Sequence, residues 1–359
     1  MSEPVHIGVL RDVHAPDRHD YGGNALRLAV DEANAAGGAQ GRRIELVERI
    51  THGHKFGTQA HIDATSALWR DLADDPRILG IIGPSTTPCV LDVHPEVEAR
   101  GIPQVHWAGT DAACGDWHFQ FQAGYLPDEG RALVYLLTRL GHRRVVCFCG
   151  EGSYGDAYMN PFTSAAGPQG IEILGRFALP HTAQDVSSAV EAASRLGADA
   201  VVGLGLLGVA DKLVGSMRAI GWQSPCFGNC GFALFASGDP AMREMLDGWT
   251  ATDMYDPGNR TATDMFDRYE AVHGIRPNSA TSCFGYDLAR LMIEGLRAAP
   301  EMTRAGLRMG LEALRGVSSA TGGSGSYMAF SERDRQALKG PRLFVFNRIT
   351  SDGLKMVAA

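Results

Sequence analysis

Two hydroxyl-bearing turns are the part of this sequence best suited to chemistry. Residues 83–88 read GPSTTP and follow a short apolar segment, and residues 108–110 read AGT and follow the next one. Hydroxyl groups and free N–H groups at a helix N-terminus bind carboxylate or amide oxygens. Taken alone, either turn is best explained as a helix cap. Because two such turns follow neighbouring strands, a binding site explains them as well as capping does.

Three patterns that carry chemistry in other proteins are incomplete here. Residues 203–208 match G-x-G-x-x-G, but no Asp or Glu occurs from 212 to 238 to bind the ribose of a dinucleotide. His52, His54 and His61 lack a cysteine or carboxylate at a spacing that completes a tetrahedral metal site, so they are interpreted as a solvated loop. A G-x-S-x-G nucleophile elbow is absent from the sequence. The sequence therefore predicts no cofactor, no metal site and no catalytic residue.

Length and charge restrict the class of protein. The 359 residues are long for one compact domain and suggest two. Lys and Arg total 33 against 41 Asp and Glu, a formal net charge of −8, and no basic run occurs, which argues against nucleic-acid partners and a polybasic membrane anchor. The longest uncharged apolar run, 201–210, is far shorter than the ~20 residues of a membrane helix, so no membrane insertion is predicted.

Alternating strands and helices must position the two turns. The apolar segments at 5–10 and 78–82 are typical of buried strands, and residues 24–36 carry apolar side chains on one helical face before a pair of glycines. The same alternation restarts near residue 132. Two successive β-α arrays with continuous apolar strands predict an α/β fold with two doubly wound parallel sheets. Ligands bind such sheets at the carboxyl ends of the strands.

With these elements placed, the chain resembles, essentially end to end, the type I periplasmic binding proteins of the Leu/Ile/Val- and amide-binding family. The resemblance rests on short segments whose order and spacing are specific together, although each is weak alone. They are DEANAAGG at 31–38, GRRIELV at 41–47, GIIGP at 80–84, GIP at 101–103, AGT at 108–110, YG at 154–155, GADAVV at 197–202 and GYD at 285–287.

The resemblance implies two Rossmann-like lobes with parallel sheets, joined by a three-crossover hinge and closing on a small ligand in the cleft between them. The crossovers are expected near residues 124, 253 and 330. The N-terminal lobe would comprise residues 1–124 and 254–330, and the C-terminal lobe residues 125–253 and 331–359.

The resemblance also implies ligand-binding residues. In the family, the first lobe holds the carboxylate or amide of the ligand through a Ser or Thr at the position of Thr87 and through the residues at Ala108 and Thr110. These positions fall in the two turns described above. An aromatic residue at the position of Tyr154, on a turn after a strand, closes the site from the second lobe, and Trp107 is expected to shape the pocket.

Three positions depart from the family pattern. Amino-acid binders carry an acid in the turn at 228–231 to pair with the ligand ammonium, but Cys230 occupies its place, and a desolvated ammonium without a carboxylate partner loses several kcal/mol. Leu206, also expected to shape the pocket, replaces an aromatic residue of the preceding turn.

Arg18 lies in one loop with His14, at a position where the family has a contact residue. Its guanidinium can bind a carboxylate, and a solvated loop charge is the alternative. We therefore predict a ligand with a carboxylate or amide head, an apolar or aromatic body and no essential α-ammonium.

The predicted function is non-catalytic binding of this small ligand as the solute-binding component of an ABC importer, which delivers the ligand to a membrane permease. The alternative is a cytosolic ligand sensor of the amide-binding type that binds a regulatory partner protein. The N-terminus reads MSEP without a basic and apolar leader, and the seven cysteines are expected to be free thiols. Both features favour a cytoplasmic location, and a periplasmic location follows if a leader was removed.

Overall fold

The computed structural model of the chain describes residues 3–13, 19–54, 58–121, 126–206, 208–277, 279–339 and 343–357, with the side chains at 126, 127, 153 and 154 left aside. The chain divides into two compact units. The first comprises Met1–Ala123 and Tyr255–Leu343, and the second comprises Gly124–Met254 and Phe344–Ala359. The chain therefore passes from one unit to the other three times.

Strands and helices alternate along most of the chain, as predicted. The helices are α1 (Tyr21–Ala35), α2 (Gln59–Asp74), α3 (Thr87–Arg100), α4 (Leu126–Leu140), α5 (Ser153–Ala166), α6 (Ser187–Ser194), α7 (Ala210–Ala219), α8 (Cys230–Gly238), α9 (Pro240–Met245), α10 (Arg260–His273), α11 (Ala280–Ala298) and α12 (Arg304–Glu312). The strands are β1 (Val5–Arg11), β2 (Ile44–Ile50), β3 (Ile78–Ile82), β4 (Gln104–His106), β5 (His118–Gln120), β6 (Arg144–Gly150), β7 (Glu172–Leu179), β8 (Ala200–Leu204), β9 (Cys226–Gly228), β10 (Thr250–Asp253), β11 (Val317–Ser318), β12 (Tyr327–Met328), β13 (Leu338–Lys339), β14 (Val345–Thr350) and β15 (Gly353–Met356). Single 3₁₀ turns occur at Asp111–Ala113 and Gly167–Gln169. The alternation is interrupted where α8 and α9, α10 to α12, and β11 to β15 follow one another directly.

The first unit is built on a five-stranded sheet in the order β2-β1-β3-β4-β5, with every pair parallel. Its strands are apolar because helices cover them, and Leu10, Ile78 and Ile81 pack against Trp69 and Leu72 of α2 in a fully buried cluster. A parallel sheet needs helical crossovers between its strands, which places every strand-to-helix turn at one edge.

The second unit is built on a seven-stranded sheet in the order β15-β14-β10-β9-β8-β6-β7. The strands from β7 to β10 are parallel, whereas β14 and β15 pair antiparallel at one edge. Its core contains Phe232 stacked on Trp249, with ring centroids 4.8 Å apart. The α/β class with two parallel-sheet units is thus confirmed, with an antiparallel edge that the sequence pattern does not show.

A close helix contact in the first unit explains one of the sequence segments that carry the resemblance. A Cβ on Gly285 of α11 would overlap the carbonyl oxygen of Gly22 in α1, so only glycine permits this approach. The neighbouring Tyr286 hydroxyl donates to Glu32 at 2.7 Å, and the Asp287 carboxylate accepts the N–H groups of 320 and 321. The GYD segment at 285–287 therefore has a structural role in the first unit.

The third passage between the units lies later than predicted. Residues 331–343 belong to the first unit, not to the second. The reason is backbone pairing with that unit: the Gln120 N–H donates to the Arg335 carbonyl at 2.7 Å, and the Ala337 N–H donates to the Gln120 carbonyl at 2.8 Å. β13 also pairs with β12. An isolated bridge thus links this segment to β5, while β13 belongs to a separate three-stranded sheet in the order β11-β12-β13.

All seven cysteines are free, and all except Cys114 are buried. In the ranges given above, no helix combines the length and apolar character needed to cross a bilayer.

Candidate functional site

The two predicted turns lie together at the carboxyl edge of the first sheet. Thr87 is the first residue of α3, the helix that follows β3. The Gly109 N–H, in the turn after β4, donates to the Thr87 hydroxyl oxygen at 3.3 Å. The parallel pairing of β3 with β4 places these turns side by side.

A carboxylate of the protein itself occupies the N–H groups that the sequence suggested as a ligand seat. Asp12 directly follows β1, and its carboxylate accepts the Ser85 N–H at 2.6 Å and the Thr86 N–H at 2.9 Å. The Thr86 hydroxyl donates to the same carboxylate at 2.6 Å. The expectation of free N–H groups in this turn is therefore wrong for Ser85 and Thr86. An acid at the end of the first strand was the available signal, and the sequence reasoning passed over it.

Ala108 and Thr110 continue the site on the second turn. Ala108 is fully buried, its N–H donates to His106 Nδ1 at 3.2 Å, and its carbonyl accepts a hydrogen bond from the Gln120 amide. The Thr110 hydroxyl oxygen accepts the Ala112 N–H at 3.4 Å and caps a 3₁₀ turn. Ala108 thus shapes the turn through its backbone, whereas half-buried Thr110 presents a hydroxyl group.

Trp107 lies between His106 and Ala108 and is half-buried. Its ring meets the buried Phe284 ring of α11 edge-on, with centroids 5.0 Å apart and an interplanar angle of 88°. An aromatic wall therefore adjoins the hydroxyl turns. His14 and Arg18, the other predicted contacts of the first unit, lie outside the described residues.

Tyr154 lies at the start of α5 and not on a free turn, and its side chain is outside the described part of the structure. The glycine that follows it has a steric reason: a Cβ on Gly155 would overlap the carbonyl oxygen of Gly150 at the end of β6. The YG pair is thus tied to the strand-to-helix turn of the second unit.

Leu206 borders a small apolar depression in the second unit, at the carboxyl ends of β8 and β9. Phe232 and Phe235 of α8 line it together with Leu206 and Asn229. Both polar atoms of the Asn229 side chain have partners within the protein: its oxygen accepts the Gly205 N–H at 3.2 Å, and its nitrogen donates to the Tyr158 hydroxyl at 3.0 Å. This depression suits an apolar group.

Cys230, the first residue of α8, is buried and bonded to an acid that the sequence reasoning missed. Glu129 of α4 accepts the Cys230 N–H at 2.7 Å and the Cys230 thiol at 3.2 Å. The Thr252 hydroxyl also donates to Glu129, at 3.0 Å. Burial raises the pKa of Glu129 to about 7, although these three hydrogen bonds oppose the shift. A ligand-binding role for Cys230 stays a prediction. The Cys230 thiol already donates a hydrogen bond to Glu129.

His61 is not part of a solvated loop, as the sequence suggested, but lies buried in α2. Its Nε2–H donates to the Asp12 carbonyl at 2.7 Å, and its Nδ1 lies 3.7 Å from the Cys89 sulfur. His52 and His54 do lie in the irregular segment between β2 and α2.

Comparison with known proteins gives a match over nearly the whole chain. Residues 4–347 match a family model described as periplasmic binding protein. No curated protein matches the sequence.

Solved structures resemble the chain along its full length. An ABC transporter substrate-binding protein from Desulfitobacterium hafniense, solved in complex with Leu, is 20% identical with a TM-score of 0.82, covering 99% of this chain and 100% of that one. A leucine-binding protein from Thermotoga maritima is 19% identical with a TM-score of 0.80, covering 99% and 98%. A branched-chain amino acid transporter substrate-binding protein from Streptococcus pneumoniae, in complex with isoleucine, is 19% identical with a TM-score of 0.80, covering 99% of both chains. At identities of 19–20%, this structural similarity shows that the chain shares the fold of these proteins.

Proposed function

The chain belongs to the periplasmic binding protein family, and we propose that it is the solute-binding component of an ABC importer for a small ligand with a carboxylate or amide head. The single observation that carries this proposal is the hydrogen bond from the Gly109 N–H to the Thr87 hydroxyl oxygen, 3.3 Å long. It joins two hydroxyl turns at the edge of the sheet where α/β proteins bind ligands.

The hydroxyl protons of the first unit favour a ligand that accepts hydrogen bonds. Thr87 and Thr110 each use the hydroxyl oxygen to accept a backbone N–H. Within the described residues neither hydroxyl proton has an acceptor, and a hydroxyl has one O–H to donate. A carboxylate or amide oxygen supplies the missing acceptor, whereas an ammonium group does not.

The second unit favours a ligand body without an essential ammonium group. The depression beside Leu206 is apolar, and the nearby acid Glu129 is fully buried and already accepts three hydrogen bonds. A desolvated ammonium needs a carboxylate that it can reach. That one ligand engages both units remains a prediction from the sequence, which variants in either unit test.

Calorimetric titration with matched ligands tests the proposed head and body. Leucine, isocaproate (leucine without its amino group) and the corresponding amide share one apolar body. We expect isocaproate or its amide to bind at least as tightly as leucine. Thr87→Val, which is nearly isosteric, should weaken binding about tenfold or more because a hydrogen bond to a charged group is lost, and Thr87→Ser should retain it.

Three results would contradict this proposal. Leucine binding much tighter than isocaproate and insensitive to Cys230→Ala would refute the claim about the ammonium group. Equal affinity in Thr87→Val and the unaltered chain would remove Thr87 from the site. Failure of amino acids, keto acids, aromatic acids and amides alike to raise the melting temperature would remove the solute-binding role, since a ligand of the folded state stabilises it by mass action.

We further propose that the bound ligand is not chemically altered. Cys89 and His61 come nearest to a nucleophile and base, but Cys89 is fully buried and burial raises the pKa of its thiol to about 11. A protonated, inaccessible thiol is not a nucleophile. Nuclear magnetic resonance of the ligand after prolonged incubation should show no product, and any turnover abolished by Cys89→Ala would contradict this.

We propose delivery to a membrane permease because the similar proteins of known structure include substrate-binding proteins of ABC and branched-chain amino acid transporters. A sensor would instead bind a regulatory protein. Permease genes beside the gene for this chain are the expected finding, and a neighbouring regulator gene without permease genes would favour the sensor.

A further inference from the structure

Further along α3, three side chains that commonly bind metals lie together in the first unit. His94 and Glu98 are four residues apart on one face of α3, and His118 begins β5. Their ligand atoms all lie within 4.8 Å of one another, and across the described ranges no other group of His, Cys, Asp or Glu has this geometry. We propose that His94, Glu98 and His118 bind a divalent transition-metal ion such as zinc.

The pair formed by Glu98 and His118 already has the spacing of two ligands on one ion. The His118 Nδ1–H donates to Glu98 Oε1 at 3.1 Å. Two ligands about 2.0–2.1 Å from zinc at a tetrahedral angle are about 3.3 Å apart. A cation can therefore replace the proton between them with little movement of either group. That proton then moves to His118 Nε2, which is buried and has no partner within the described residues.

Backbone groups hold the carboxylate in place. The Trp117 N–H donates to Glu98 Oε1 at 2.9 Å, and the Asp116 N–H donates to Oε2 at 3.1 Å. Burial alone would raise the pKa of Glu98, but the hydrogen bonds from His118 and Trp117 outweigh it and lower the pKa. Burial also lowers the pKa of His118. An ionised carboxylate and a neutral imidazole are the forms that bind a metal, and such supporting contacts are typical of metal sites.

His94 completes the set after a local rearrangement. Its Nε2–H now donates to the Cys114 carbonyl at 3.2 Å, and its ring stacks on that of His118 with centroids 4.2 Å apart. Stacked rings direct their lone pairs into parallel planes, so the half-buried His94 ring must turn and carry its proton on Nδ1. This adjustment predicts micromolar rather than nanomolar affinity for the ion.

Gly115 brings no side chain into the space beside these atoms. A Cβ at this position would overlap Glu98 Oε1 and lie 3.1 Å from His94 Nε2. The position that a Cβ on Gly115 would occupy is therefore close to two of the three proposed ligand atoms. The adjacent His106 does not contribute, since its Nε2–H donates to the Ala113 carbonyl at 2.9 Å and its Nδ1 accepts the Ala108 N–H.

Titration of the untagged full chain, stripped of metal, with ZnCl₂ in a calorimeter tests the site. We expect one ion per chain, and His94→Gln and Glu98→Gln should each weaken binding by about tenfold or more. CoCl₂ should give the visible absorption of a low-coordinate N/O site without a thiolate charge-transfer band. The matched control is His6→Gln, because His6 Nε2 lies 3.3 Å from Glu45 in a His–Glu pair and should leave zinc binding unchanged.

Binding that is absent at millimolar zinc would overturn the proposal, and the cluster would then be a hydrogen-bonded brace only. Binding unaffected by His94→Gln and Glu98→Gln would also overturn it, as would a thiolate band that disappears in Cys114→Ser. Circular dichroism checks that each variant folds. If Glu98→Gln does not fold, His94→Gln decides alone, because the half-buried His94 side chain makes a single hydrogen bond within the described residues.

Discussion

Each unit holds one buried carboxylate at the start of a helix, and the two differ in the groups that bind them. In the first unit, Asp12 accepts two backbone N–H groups and a hydroxyl where α3 begins. In the second, Glu129 accepts one backbone N–H, a hydroxyl and a thiol where α8 begins. Glu129 is also fully buried, and burial raises its pKa to about 7.

The comparison shows that two buried acids beside helix starts can receive different sets of hydrogen-bond donors. Positive partial charge and free N–H groups concentrate in the first helical turn. Asp12 accepts the N–H groups of the two residues that immediately precede α3, whereas Glu129 accepts the N–H of Cys230, the first residue of α8, together with the weak thiol donor of that residue. Because the protein's own acids fill both positions, the proposed ligand head is predicted to bind the hydroxyl groups of Thr87 and Thr110 instead.

The largest expected effect comes from removing Asp12, the acid that accepts two backbone N–H groups. Asp12→Ala leaves the N–H groups of Ser85 and Thr86 without their acceptor, which should lower the free energy of unfolding by about 4 kcal/mol. Asp12→Asn keeps one acceptor oxygen and should cost about half as much. Urea unfolding followed by circular dichroism measures both. Equal stability of Asp12→Ala and the unaltered chain would show that water replaces this carboxylate.

A pH-dependent effect is expected at the other acid. Because the pKa of Glu129 is about 7 in the folded chain and near 4.5 when unfolded, the folded state holds its proton more tightly. This contribution to stability is complete below the unfolded pKa and is lost as pH rises to about 7, at most about 3 kcal/mol. The buried neighbour Asp253 adds to the upward shift.

Glu129→Gln removes this titration. The difference in unfolding free energy between the unaltered chain and Glu129→Gln should fall from pH 4.5 to 7 and stay level above it. Urea titrations at closely spaced pH values measure that difference, in which the other titrating groups cancel. A difference that rises with pH would mean that the folded chain stabilises Glu129 as a carboxylate, contrary to this prediction.

The smallest effect concerns the thiol that distinguishes the second position. Cys230→Ala removes one weak donor to Glu129 but keeps the backbone N–H, so the loss of stability should be about 1 kcal/mol. Because that donor lowers the pKa of Glu129, its loss should move the pH-dependent fall in unfolding free energy to higher pH. Cys230→Ser retains a donor, so the pH range over which the unfolding free energy falls should stay near that of the unaltered chain. Identical plots of unfolding free energy against pH for the two variants would show that the thiol does not affect the pKa of Glu129.

Local sequence patterns accounted for the framework of both units. The apolar run at 78–82 matches β3 in both bounds, and the helix predicted over 24–36 corresponds to Tyr21–Ala35. Strand and helix periodicities depend on neighbouring residues, so one sequence suffices to identify them. The antiparallel strands β14 and β15 and the placement of 331–343 in the first unit depend on distant pairing partners, which periodicity does not reveal.

The sequence by itself determined the alternation of strands and helices, the two-unit α/β class and the two hydroxyl turns, because each is written in adjacent residues. Only the tertiary structure decided which acids fill the helix N-termini: Asp12 meets Ser85 across 73 positions, and Glu129 meets Cys230 across 101. It also brought His118 to His94 and Glu98, which sequence spacing did not suggest. Such contacts arise when parallel strands align their carboxyl ends and helices pack over them, so they belong to the folded chain and not to any local segment.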